Sequence, residues 1–348
     1  MKEKKLKGGI FNRVSDTNLL FFITVVIFFL MYIGAVVFRG GGFSKPQTLF
    51  DILNSNAGLI IVALGLSVVM ITGGIDISVG GVVGLVTMCC AVYLDKTPGG
   101  GNVYVSMLIA VGIGLAFGLV QGFLVAYCDI QPFIVTLAGM FFARGMTTIV
   151  HTKPFNVENS AFQKLKNTRI EIPGLGWYTK KGIYFPAYIE IGVVVALALV
   201  VILFIVLRYT KLGRAFYAVG GNKQSALMLG INVKRTKFLS HVICGVLAGI
   251  AGYVYFLNVG SGSVSHATGM EMNAIASAII GGTMLTGGVG NIVGTLFGVL
   301  SLCTIQKIVA SAGLGEAWWT GITIAAMLCL FLLIQSVVIR LKKRTLKV

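Results

Sequence analysis

Long apolar runs separated by short polar punctuation dominate the chain. A membrane crossing needs roughly 20 apolar residues, and on that rule ten segments qualify: 18–38, 57–74, 77–95, 103–127, 132–151, 186–208, 236–258, 270–286, 289–311 and 314–338. The pattern predicts an all-α, polytopic membrane protein, a single transmembrane domain over 1–348 with about ten helices. The second and third segments, like the eighth and ninth, are only a few residues apart. They read as hairpins, re-entrant pieces or broken helices. The first run follows a basic stretch, as a signal peptide's apolar core does, but it is span-length and precedes no small-x-small cleavage pattern, so a retained helix is expected.

Composition agrees. Charged residues make up 11% of the chain and hydrophobic ones 56%, against about 25% charged in soluble domains. The net charge of +17 does not indicate a nucleic-acid partner, because the cations lie in tails and inter-span loops and not on one soluble face. They are expected to set topology and meet anionic lipid. The N-terminal tail (1–17) and the C-terminal tail (339–348) are basic. The loop 209–235 and its flanks carry Arg208, Lys211, Arg214, Lys223, Lys234, Arg235 and Lys237 without one carboxylate. An even number of crossings puts both tails on the side of that loop, and the positive-inside rule makes it cytoplasmic. The segment 152–185 is then extracytoplasmic, although it is itself basic, with Glu158 and Glu171 as offsetting acids. Within the central loop, good helix formers follow Gly220-Gly221-Asn222, which predicts a short helix outside the bilayer. It is either a contact surface or a solvated connector. A β-branched residue at Gly221 is expected to be excluded by a turn with positive φ.

Glycine recurs at four-residue spacing, at Gly114, Gly118 and Gly122 and again at Gly290, Gly294 and Gly298. Small residues on one helix face let backbones approach in lipid. Three stretches break the apolar rule. In Ile71–Leu85, Asp76 lies among paired glycines ahead of Ser78; a carboxylate at membrane depth needs a polar cavity, a cation or a turn between helices, where it caps the next helix. In Asp129–Gly145, Pro132 suits a first helical turn and Arg144 is expected to snorkel to an interface. Glu271–Leu300 repeats the paired-glycine break. Two breaks in separate halves point to a substrate path, with Asp76, Ser78, Gln121, Asn273 and Asn291 as polar candidates, each of which also has a purely structural reading.

Enzyme signatures are missing. There is no Gly-Lys dipeptide and hence no phosphate-binding loop of the G-x-x-x-x-G-K kind. His151, His241 and His266 are scattered, and the six cysteines sit in or beside apolar runs without ligand spacing. No cofactor or metal is expected in the chain.

TGGIDISVGG (Thr72–Gly81), QPFIVTLAGMFFARG (Gln131–Gly145), GRAFYAVGGNKQSALMLGINV (Gly213–Val233) and AIIGGTMLTGGVGNIVGTLFG (Ala278–Gly298) together resemble the recurring blocks of ribose-type, monosaccharide-importing ABC transporter permeases. The likeness runs over most of the chain from about Asn18. It implies a bacterial cell-membrane subunit that works with a cytoplasmic ATPase which uses the ATP, a second permease copy or homologue, and an extracytoplasmic sugar-binding protein. It also implies that Gly220, Gly221, Asn222, Lys223, Ala226, Leu229, Gly230 and Ile231 form the element that couples to the ATPase. An ion-gradient-driven transporter using Asp76 or Glu190, and a passive channel, are the competing readings.

Overall fold

The computed structural model describes residues 16–39, 42–97, 100–178, 184–313 and 316–345. Most of the N-terminal tail, Lys180, Lys181 and the last three residues lie outside them. The described helices, in chain order, are α1 (Asp16–Arg39), α2 (Pro46–Ile71), α3 (Val79–Asp95), α4 (Val103–Ala126), α5 (Pro132–Val150), α6 (Ser160–Lys166), α7 (Ile191–Tyr209), α8 (Lys211–Gly221), α9 (Lys223–Met228), α10 (Val233–Val259), α11 (Met270–Ile280), α12 (Ile292–Ser311) and α13 (Ala317–Thr345). Four strands accompany them: β1 (Phe155–Asn156), β2 (Arg169–Tyr178), β3 (Tyr184–Glu190) and β4 (Ser261–Gly262).

Each of the ten expected segments contains a helix. Seven described helices are long and apolar enough to cross a membrane, and α3, α11 and part of α13 form shorter apolar pieces. The boundaries move for local reasons. α2 begins at Pro46, a residue suited to a first turn, rather than at 57; its early polar residues Gln47, Asp51 and Asn54 hid those turns from hydropathy. The sixth segment does not start at 186, because 184–190 is strand β3 and α7 begins only at Ile191. The eighth stops at Ile280 and not at 286.

Small residues set the packing. A Cβ on Gly114 would fall 2.7 Å from the Gly249 nitrogen, one on Gly118 would meet the His241 carbonyl, and one on Gly122 that of Phe238. The α4 glycine stripe therefore lies directly on the α10 backbone, where Gly245 and Gly249 reciprocate. Gly294 and Gly298 do the same against Gly281 and Ser277, seating α12 on α11. α2 is the buried centre of the bundle, whereas α4, α5 and α7 present Leu108, Val120, Phe123, Phe141, Phe142, Ile149, Val201 and Ile202 outward, the surface a lipid-facing helix requires.

One end of the bundle is capped by the 152–190 segment, which folds into more than a connector. β2 and β3 form an antiparallel hairpin with Arg169 opposite Glu190, and β1 pairs with β4. The hairpin is tied to α2: Tyr188 N–H donates to Gln47 Oε1 at 2.8 Å and Glu190 N–H to Asn54 Oδ1 at 2.9 Å. α6 is fastened by Phe162, stacked on Phe256 with ring centroids 4.4 Å apart.

Arg144 does not snorkel. Its guanidinium donates to the carbonyls of His266 (2.6 Å) and Ala267 (2.7 Å) and packs over Gly84. It clamps the loop before α11, within electrostatic reach of the buried Glu271. Carbonyl partners satisfy this half-buried guanidinium without the cost of reaching water.

Candidate functional site

At the end of the bundle opposite the hairpin, three pieces of irregular backbone meet: the break 72–78, the break 281–291 and the loop built of α8 and α9.

Both breaks stop their helices by one device. After α2, Gly74 N–H donates to Val69 O and Gly73 N–H to Met70 O, with Gly73 at φ +82. After α11, Thr283 N–H donates to Ala278 O and Gly282 N–H to Ile279 O, with Gly282 at φ +91. These are Schellman motifs, which satisfy the last carbonyls of a helix and need a left-handed residue at the turn. α9 ends identically: Ile231 N–H donates to Ala226 O, Gly230 N–H to Leu227 O, and Gly230 has φ +75.

Asp76 is 2% exposed and lies in the turn between α2 and α3, but it does not cap α3, whose first turn receives no side-chain cap; it bonds the N-cap residue Ser78 instead. Its Oδ1 accepts from Ser78 N–H (2.9 Å) and from the Ser78 hydroxyl (2.6 Å), and the Cys244 thiol lies beside it. Ser78 is also 3.1 Å from the Gln121 side chain, whose other end is buried against Gly139. The Ser78 hydroxyl has one proton for two acceptors, Asp76 Oδ1 at 2.6 Å and Gln121 Oε1 at 3.1 Å, and the Gln121 Nε2 is buried without a partner among the described residues. The structure thus brings together Asp76, Ser78 and Gln121. It keeps the other two path candidates apart from them. Asn291 caps α12, accepting from Val293 N–H at 2.9 Å, and Asn273 sits on α11 facing a different cleft.

The loop 209–235 is two helices rather than one. Thr210 caps α8, Asn222 caps α9 through Ser225 N–H (2.9 Å), and Asn232 caps α10 through Arg235 N–H (2.9 Å). Val219, Ala226 and Val233, with Ile231, form a small core that holds α9 against its neighbours. The outer face of α9 is different: Leu227, Met228 and Leu229 are exposed, Met228 at 88%, next to exposed Asn222 and Lys223. Beside α9 runs a groove of about 500 Å³ between Ala126, Asp129, Lys223, Leu227, Ile231 and Lys237.

Glycine backbones join the three pieces. Gly288 N–H donates to Ile71 O at 2.9 Å. A Cβ on Gly220 would overlap Ile71 O and fall 2.6 Å from the Gly288 nitrogen; one on Gly287 would lie 2.9 Å from Gly73 Cα, and one on Gly288 2.6 Å from Gly221 Cα. Tyr217 of α8 donates to Gly290 O at 2.9 Å, and burial, only partly offset by Arg208, raises its phenol pKa so that it stays a donor. Gly221 itself ends α8 without a left-handed φ and has open space where a Cβ would stand. The expected steric requirement falls on Gly220 instead. Paired glycines were the signal for these contacts, but nothing in the sequence paired 220 with 71 and 288. Tyr217 and Arg144 were not singled out as partners, because each acts through carbonyls distant in sequence.

Residues 48–332 match the family described as branched-chain amino acid transport system / permease component. The chain is 34% identical over 320 residues (91% of this chain, 92% of the relative) to the inner membrane ABC transporter permease protein YjfF of Escherichia coli K12. It is 34% identical to the fructose import permease protein FruG of Bifidobacterium longum (90% and 89% covered). It is 35% identical to the ribose import permease protein RbsC of Escherichia coli K12 (80% and 82% covered). No solved structure matches the chain.

Proposed function

This chain belongs to the permease-component family described for branched-chain amino acid transport systems, and from that premise we propose that it is the membrane-spanning subunit of an ATP-binding cassette importer for a monosaccharide. The relatives named for fructose and ribose import support a sugar over an amino acid as cargo. The observation that carries the mechanism is the glycine junction: the α8–α9 loop, whose α9 exposes Leu227, Met228 and Leu229, is joined at the end of α8 to both helix breaks by close backbone packing and by Tyr217.

In this reading α8 and α9 lie in the cytoplasm, 152–185 outside, and both tails on the α9 side. Leu229 and its neighbours dock into a separate ATPase, with Asn222 and Lys223 beside them. Ala226, Gly230 and Ile231 keep the helix shaped for docking, and Gly220 and Gly221 pass its movement to Ile71 and Gly288. Backbone packed on backbone has no rotamers to absorb a push, so displacement at α9 reaches α2, α11 and α12 directly. A second permease copy or homologue completes the path, and a sugar-binding protein delivers cargo at the hairpin end. Energy comes from the partner ATPase, since the chain has no nucleotide motif.

Reconstituted vesicles test this. Uptake of labelled ribose, fructose or galactose is expected only when the ATPase and ATP share the α9 side. Uphill uptake without the ATPase that collapses with an uncoupler would make the chain a gradient-driven transporter, and downhill flux alone a channel. Crosslinks from Leu229→Cys to the ATPase are expected; their absence in an active complex sinks the docking assignment.

A further inference from the structure

A cleft of about 260 Å³ opens between α2, α10, α11 and α12, near the loop that precedes α11. Three primary amides from three helices converge on it: Asn56 of α2, Asn273 of α11 and Gln306 of α12. Asn56 spends one donor on Ile52 O (2.9 Å) and keeps its carbonyl oxygen as an acceptor. The amides of Asn273 and Gln306 make no hydrogen bond to the described residues. The Ser265 and Thr268 hydroxyls stand at the rim and the Tyr255 ring forms part of the wall. Such a surface cannot face hydrocarbon, where unpartnered amides have no water to bond. It faces an aqueous passage or a ligand.

We propose that this cleft, and not the Asp76–Ser78–Gln121 chain, holds the sugar in transit; the proposal rests on the importer reading above. Amides are paired donors and acceptors, which matches vicinal hydroxyls that must each give and take a bond. An aromatic ring beside them suits the C–H face of a sugar. None of the lining residues is charged, so the site fits a neutral polyol and offers no counter-charge to an ammonium or a carboxylate. Its size lies just below ligand sites of about 300 Å³ upward, as one sugar ring requires. The Asp76–Ser78 pair, by contrast, is buried, and the Ser78 N–H and hydroxyl already bond Asp76 Oδ1. Position adds a mechanism: Asn273 stands at the start of the short helix α11, whose other end is the glycine break joined to α8. A shift of α11 moves one amide of the three away from the other two, so the grip on the sugar changes as the lever moves.

The test uses the full complex in proteoliposomes with ATP and labelled ribose, fructose and galactose. For Asn273→Ala/Gln306→Ala, sugar delivered per ATP hydrolysed is expected to fall about ten- to hundredfold, the effect of losing one or two hydrogen bonds to the cargo. The isosteric Asn273→Asp and the shortened Gln306→Asn preserve packing and are expected to lower the same ratio by smaller factors. A ratio that stays at the wild-type value in all three variants, whether both rates fall together or neither changes, overturns the assignment of the cleft. A wild-type complex that moves none of the three sugars on ATP overturns the importer reading, and the proposal with it.

Discussion

The breaks at 72–78 and 281–291 end their helices with the same glycine turn and restart them in opposite ways. The first contains a carboxylate, Asp76, and is tethered by side chains: Ser78 and Gln121 bind it to α4, and Thr136 of α5 donates to Ile75 O at 3.4 Å. The second contains no ionisable residue. Its restart uses the neutral Asn291 cap, and its tethers end on its backbone: Gly288 N–H donates to Ile71 O, and Gly290 O accepts from the Tyr217 hydroxyl. Charge at membrane depth is therefore a poor guide to where function lies here. The charged break is anchored to α4 and α5 by side chains, while the uncharged one is tied to the end of α2 and to α8.

The largest expected effect breaks the backbone junction. Gly220→Val places a branched side chain where Ile71 O and the Gly288 nitrogen already stand, and neither can rotate away. Overpacking costs about 1–3 kcal/mol where neighbours are side chains, so a loss at the top of that range is expected in detergent thermal unfolding, with ATP-driven uptake at background. A variant that unfolds at the wild-type temperature and transports normally would show that the junction is loose.

Next in size is the anchor. Asp76→Ala strips the acceptor from the buried Ser78 N–H and hydroxyl, about 1–3 kcal/mol for groups left unsatisfied. Asp76→Asn keeps an acceptor oxygen at the same place and is expected to lose less than half as much and to retain most uptake. That pair separates a hydrogen-bond role from ion coupling, because a proton- or sodium-binding carboxylate would make the Asn variant as inactive as the Ala variant. Gln121→Leu should cost still less, about 1 kcal/mol, since Ser78 retains its bond to Asp76.

The sequence made the span pattern, both breaks and the short helix at Asn222 legible because each rests on local chemistry: apolar run length, paired glycines, and a capping Asn ahead of helix formers. The packing of Gly114, Gly118 and Gly122 was also legible, since four-residue spacing implies one face. What stayed hidden depends on pairing across hundreds of positions. Arg144 was expected at an interface because nothing local announces the His266 and Ala267 carbonyls. The β2–β3 hairpin was hidden because its strands are half exposed and lean on α2 for their hydrogen bonds. Of the path candidates, Asp76, Ser78 and Gln121 meet, but Asn273 belongs with Asn56 and Gln306, which no spacing connects.

The smallest expected effect falls one residue from the largest and sharpens the comparison most. Gly221 ends α8 with ordinary helical backbone and open space beyond its Cα, so Gly221→Ala meets no obstacle. Alanine loses less conformational freedom on folding than glycine in a helix, at most about 0.5–1 kcal/mol and less at a terminus, so unfolding should be unchanged or slightly later and uptake within about twofold, as for surface changes worth ±0.5 kcal/mol. Gly221 still touches Gly288, but there the Gly288 side of the contact lacks room, and the added methyl points away from it. Equal damage from Gly220→Val and Gly221→Ala would mean that the loop needs flexibility at both positions. Damage confined to Gly220 assigns the requirement to a single point of contact, where α8, α2 and the uncharged break meet at the Ile71 carbonyl.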